Sequence, residues 1–179
     1  MNLRHRLVTP ALAGLLVATV VGIATAQEPL TVTDVDGEAI AIEDTSRVAT
    51  LGGVFTEVTY ALGAQDRLVA VDASSFFPQE ALNENANLGY YRSLASEPVL
   101  AANPSLILGN EEAGPREVVS QLQDAGVQLL LLPDGNDVEG ARALITTLGE
   151  LFGREESAQG LIATLDAEVA AAAELVARA

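Results

Sequence analysis

The feature that most constrains this chain is a repeated unit of short apolar strand, loop and helix. Val48 to Leu51, Leu68 to Val71, Leu106 to Leu108 and Val127 to Leu132 are apolar runs without polar alternation, the pattern of strands covered on both faces. Helices are predicted between them over Thr56 to Leu62, Pro78 to Leu82, Glu97 to Ala102 and Pro115 to Ala125. The last has Pro at its start and Gly126 at its stop, the usual asymmetry of helix ends. Strands alternating with helices imply an α/β chain, a three-layer lobe with a central parallel sheet.

The flanks read differently. Leu30 to Ile42 alternates apolar and polar residues around Asp36-Gly37, a β-hairpin pattern. The Asp34-x-Asp36-Gly37 cluster does not make a calcium loop, because its glycine comes too early and no glutamate stands at the closing position. After Pro133 the run Asp134-Gly135-Asn136-Asp137 turns the chain, and Asp137 is placed to cap a helix over Val138 to Leu151. From Glu155 to Ala179 apolar residues recur at Leu161, Leu165, Val169, Ala172, Leu175 and Val176, predicting one long helix with no stop signal. The expected organisation is a signal peptide over 1–26, a hairpin segment over 27–45, a lobe over 46–153 and a truncated long helix over 154–179. On this reading the chain is a fragment.

The start of the chain joins basic MNLRHR to the apolar run Leu7 to Ile23 and then to Ala24-Thr25-Ala26. That order is a secretory leader with a small-residue cleavage site. A lipoprotein signal needs a cysteine and the chain has none, so the expected product is periplasmic without a lipid anchor, and it has no disulfides or thiolate ligands. About 150 residues follow the leader, enough for one domain with a core. Losing the leader, with Arg4 and Arg6 and no acid, takes the formal net charge from −16 to −18. So acidic a chain is unsuited to nucleic acid.

The sole histidine, His5, and the sole methionine, Met1, lie in that leader. Behind it an iron or other transition metal would find only oxygen ligands: Tyr60, Tyr90, Tyr91 or a carboxylate. The segment Asn87-Leu88-Gly89-Tyr90-Tyr91-Arg92-Ser93-Leu94 puts two tyrosines and an arginine in a loop of the kind that binds ligands at the C-terminal ends of parallel strands. A nearby guanidinium favours phenolate. The same residues also read as half-buried aromatics with a surface charge. Enzymatic chemistry is not expected. Ser74-Ser75 has no histidine to activate it, no pair of acids is singled out, and Gly52-Gly53 fits neither the phosphate-loop nor the dinucleotide fingerprint. Glu111-Glu112 reads first as a solvated loop.

Taken together, Arg47 to Gly53, Thr56 to Gly63, Arg67 to Asp72, Ser74-Ser75, Gly89-Tyr90-x-Arg92 with Leu94, Glu97 to Pro104, Leu106 to Leu108 and Glu112 to Pro115 resemble the opening of the haem subgroup of the periplasmic substrate-binding proteins, over nearly all of Arg47 to Pro133. The resemblance implies a monomeric carrier that binds haem and delivers it to an ABC transporter permease for iron uptake. It implies Tyr90 as the axial ligand of ferric haem, Arg92 hydrogen-bonded to it, and Tyr91 packed at the porphyrin edge or held in reserve. Cleft-lining positions would be Gly53, Ser74, Ser75, Glu112, Ala113 and Gly114, and Glu97 would meet arginines of the permease. It also implies a second lobe, absent here, facing the first across the haem. A siderophore- or cobalamin-binding protein of the same fold is the alternative. Expression in a Gram-negative host with N-terminal sequencing of the exported protein is expected to give Gln27 as the first residue.

Overall fold

The computed structural model describes residues 30–178, so the leader lies outside the described residues. The first elements are strands β1 (Leu30–Thr33) and β2 (Ala39–Ile42). They pair antiparallel from Leu30 opposite Ile42 to Thr33 opposite Ala39, as the alternation requires. The Asp34 carboxylate accepts from the Asp36 and Glu38 amides and organises the connecting loop. The Val35 amide donates to the Leu131 carbonyl at 2.9 Å, docking the hairpin on the lobe.

The lobe continues with β3 (Val48–Leu51), α1 (Gly53–Ala61), β4 (Leu68–Val71), α2 (Glu80–Glu84), β5 (Ala86–Asn87), α3 (Ser96–Ala102), β6 (Leu106–Gly109), α4 (Arg116–Asp124), β7 (Gln128–Leu131), α5 (Val138–Phe152) and α6 (Glu155–Ala177). The main sheet has five strands in the order β5-β4-β3-β6-β7, and every pair in it is parallel. Successive strands step outward from β3 to β5, then restart on the other side of β3 with β6. The reversal between β3 and β6 leaves a crevice beyond their C-terminal ends, the place where open α/β sheets bind ligands.

Strand side chains alternate between two cores. Val48, Leu106, Leu108 and Leu130 face one side, with Phe55 and Val58 of α1, Leu144 and Leu148 of α5 and Ala158 of α6. Ala49, Leu51, Ile107 and Leu129 face the other, with Val99 of α3, Leu122 of α4 and Tyr91. Both faces of the sheet are therefore dry, and this accounts for strands apolar at every position. The three-layer α/β lobe with a central parallel sheet is as expected.

The last two helices form an antiparallel-type pair whose close approach depends on Gly149. A Cβ there would stand 2.5 Å from the Ala158 Cβ, below any tolerable contact. Arg142 adds an outer link, its Nε donating to Asp166 at 2.8 Å. Past that point the long helix is solvent-exposed, with Leu175 and Val176 69% and 78% accessible. Gly149→Ala is expected to lower stability by about 1–3 kcal/mol through overpacking. The gain of about 1 kcal/mol in helix propensity does not offset it. Urea unfolding checks this, with Ala158→Gly in the same chain expected to restore part of the loss.

Candidate functional site

Five loops leave the C-terminal edge of the sheet, and a buried carboxylate ties the first two together. Asp72, directly after β4, is fully buried. Its oxygens accept from the Gly52 amide at 3.0 Å, the Ser74 amide and hydroxyl at 3.0 Å each, and the Ser75 hydroxyl at 3.2 Å. Gly52 has φ +110, which glycine adopts without strain. A Cβ on Gly53 would lie 2.6 Å from the Ser74 carbonyl oxygen. The two glycines thus serve a sharp turn and a close backbone approach. Beneath them Thr50, Thr56 and Ser75 share hydroxyl hydrogen bonds of 2.6 and 2.8 Å. Among the described residues no buried side-chain polar atom lacks a partner.

The third loop carries the tyrosines. It is joined to the second by the Ala73 amide, which donates to the Gly89 carbonyl at 2.8 Å, and Asn87 accepts from the Gly89 amide at 2.8 Å. Tyr90 is extended, and the next three residues form a short 3₁₀ turn, Tyr91–Ser93. Neighbouring tyrosines therefore diverge. Tyr91 enters the core, while Tyr90 remains 45% exposed. Their rings touch, with centroids 4.8 Å apart and planes tilted by 59°.

Arg92 donates from Nε to the Tyr91 hydroxyl at 3.0 Å and forms an ion pair with Glu112. The Tyr91 hydroxyl donates to the same Glu112 oxygen at 3.3 Å. The guanidinium therefore sits on Tyr91, whereas the Gly-Tyr-x-Arg resemblance implies a bond to Tyr90. Burial is the largest influence on the Tyr91 phenol and pushes it above the ordinary tyrosine range, against the downward pull of the Arg92 hydrogen bond. The fourth loop is locked to this turn by backbone bonds from Gly114 to the Tyr91 carbonyl, 2.9 Å, and from Leu94 to the Gly114 carbonyl, 2.8 Å.

A cleft of about 490 Å³ opens between these loops, lined by Gly52, Gly53, Val54, Ser74, Tyr90, Tyr91, Asn110, Asp134 and Asn136. Gly53, Ser74, Tyr90 and Tyr91 of the expected positions come together there. Ser75 is turned beneath the cleft toward Thr56. Ala113 packs in the core, and Glu112 reaches the cleft only through Tyr91 and Arg92. Glu97 is exposed in the first turn of α3. Tyr60 lies elsewhere, at the far end of α1 facing Asn85, where burial pushes its phenol up. Asn110 and Asp134, which no sequence motif marks, meet through a 2.7 Å hydrogen bond. Their signal was a polar residue at the end of an apolar strand run.

A doubly wound lobe with a polar, aromatic cleft at its switch point has the architecture of a solute-binding wall. The family model described as "Periplasmic binding protein" matches residues 48–179, and the chain belongs to the periplasmic binding protein family. A crystal structure of a periplasmic haem-binding protein from Pseudomonas aeruginosa is 34% identical and superposes with a TM-score of 0.71, over 74% of this chain and 47% of that one. An uncharacterized ABC transporter substrate-binding lipoprotein of Bacillus subtilis is 26% identical over 144 residues, 79% of this chain and 45% of its own length. A vitamin B12-binding protein of Vibrio parahaemolyticus is 31% identical over 90 residues, 50% of this chain and 32% of its own. The chain spans less than half the length of each of these three.

Removing the carboxylate that organises the cleft leaves buried donors without a partner. Asp72→Ala is expected to cost about 3 kcal/mol of unfolding free energy in a denaturant titration.

Proposed function

We propose that this chain binds ferric haem as a transported solute and presents it to an ABC transporter permease for haem and iron uptake. The observation that carries the reading is Tyr90, an exposed phenol on the lip of the switch-point cleft. A flat ligand can reach its oxygen without disturbing the core. Phenolate suits a ferric carrier, since it favours the oxidised iron and one protein ligand permits transfer. Tyr91 is less fit for this role, being buried, twice hydrogen-bonded and harder to ionise. It serves instead as the support of Tyr90 and the anchor of Arg92. The 34% identity to a haem-binding protein of known structure supports the same ligand.

In this reading residues 46–153 form one wall of the site, and α6 (Glu155–Ala177) leads toward a second lobe that completes it. Gly53 and Ser74 line the ligand face. Exposed Glu97 is the point at which the lobe meets cationic side chains of the permease, a charge pairing that guides association more than it adds affinity. The leader delivers the protein to the periplasm as a soluble monomer without enzymatic activity of its own.

A second reading is cobalamin binding, favoured by the Vibrio relative. Titration of the full chain with ferric haem and, separately, with cobalamin divides the two. Haem binding is expected to shift the Soret band and give tyrosinate charge-transfer bands. Tyr90→Phe is expected to abolish those bands and weaken binding by at least about tenfold, while Tyr91→Phe retains them. Binding of cobalamin without any haem response would favour the second reading.

A further inference from the structure

Arg92 follows the two cleft-lining tyrosines and is held by two partners. Its Nε is committed to the Tyr91 hydroxyl at 3.0 Å, its terminal nitrogen to Glu112, and its guanidinium carbon lies 5.3 Å from the centre of the Tyr91 ring. Glu112 closes the triangle by accepting from the Tyr91 hydroxyl at 3.3 Å. Its outer members are partly exposed, with Arg92 and Glu112 side chains 49% and 44% accessible, while Tyr91 is buried in the core. Its scaffold is rigid nonetheless. Glu112 is set by its amide, which donates to buried Asn110 at 3.1 Å. The two backbone bonds of Gly114 then fix its loop against the tyrosine turn.

We infer that Glu112 is a positioning residue that tethers the Arg92 guanidinium to Tyr91 and so limits how much positive charge reaches the phenolate of a ligand-bound Tyr90. The inference rests on the haem reading above. A guanidinium is a fixed cation with several donors, and its hydrogen bonds to anions are the strong ones. Shared with a carboxylate, it polarises a neighbouring phenolate weakly. Released, it would draw electron density from the phenolate oxygen and weaken that oxygen as a donor to ferric iron. Glu112 thereby keeps Tyr90 a strong ferric ligand, and the hold on the iron is tuned by a residue that does not touch it.

The test is a double-mutant cycle in the full chain loaded with ferric haem, reading the tyrosinate charge-transfer band and the ferric/ferrous equilibrium. Glu112→Gln keeps size and solvation while removing the charge. It is expected to move the band to higher energy and to reduce the ferric-over-ferrous preference by about tenfold, the scale of one charge-assisted hydrogen bond. Tyr91→Phe, which removes the other anchor of Arg92, is expected to act in the same direction. In an Arg92→Leu background Glu112→Gln is expected to change neither readout, since its effect passes through the guanidinium. An unchanged band and equilibrium in Glu112→Gln would overturn the proposal, as would a shift that persists without Arg92. Wild-type protein that binds haem with no tyrosinate band would overturn the haem-ligand reading itself and this inference with it.

Discussion

The Asp72 carboxylate is the interaction on which the functional edge of the lobe depends. A charge taken out of water is costly unless fully hydrogen-bonded, and here four donors from two loops converge on it. Those bonds stitch the loop after β3 to the loop after β4 at the point where each leaves the sheet. The Gly53 amide then meets the Ser74 hydroxyl at 3.0 Å, and the Ala73 amide passes the order on to the tyrosine loop through the Gly89 carbonyl. The position of Tyr90 is thus inherited from a buried acid eighteen residues earlier in the chain.

What could be read beforehand followed the apolar pattern closely. Strands with both faces covered stand where four-residue apolar runs predict them, Val48–Leu51 and Leu68–Val71 without change. The edge strand Ala86–Asn87 carries no apolar pattern, because it is two exposed residues long and pairs only with Ala70 and Val71. Helix starts shifted where loop geometry decides them. The first helix begins at Gly53, ahead of Thr56, since the turn at Gly52 feeds straight into it. The second begins at Glu80, after Pro78.

The site was legible as residue types but not as partners. Gly53 and Ser74 line the cleft as expected, while Ser75, one residue on, is turned under it. Which of two adjacent tyrosines stays outside depends on the 3₁₀ turn at Tyr91 and on the core cluster that Tyr91 joins, which includes Leu51, Leu94 and Ile107. No local pattern carries that information. Nor does spacing reveal that Arg92 will find Glu112, twenty residues away in sequence. Both outcomes are products of tertiary packing.

The same geometry decides how the cleft can recognise an anion. A glycine pair at the start of a helix invites the expectation that backbone amides cradle a phosphate or carboxylate. In this lobe those amides are already occupied, Gly52 by Asp72 and Gly53 by Ser74. The helix start therefore gives the cleft shape and rigidity, with little hydrogen-bonding capacity left over for a ligand. What the rim offers instead is the exposed Tyr90 side chain, while the Arg92 guanidinium is engaged by Tyr91 and Glu112. In a chain this acidic the surrounding field opposes an anionic ligand, and the Arg92 guanidinium, 3.0 Å from the Tyr91 hydroxyl, is the local cation on the tyrosine loop that works against that field. That cation is already shared between a phenol and a carboxylate, so what it could offer the proposed ligand depends on how far those two bonds loosen.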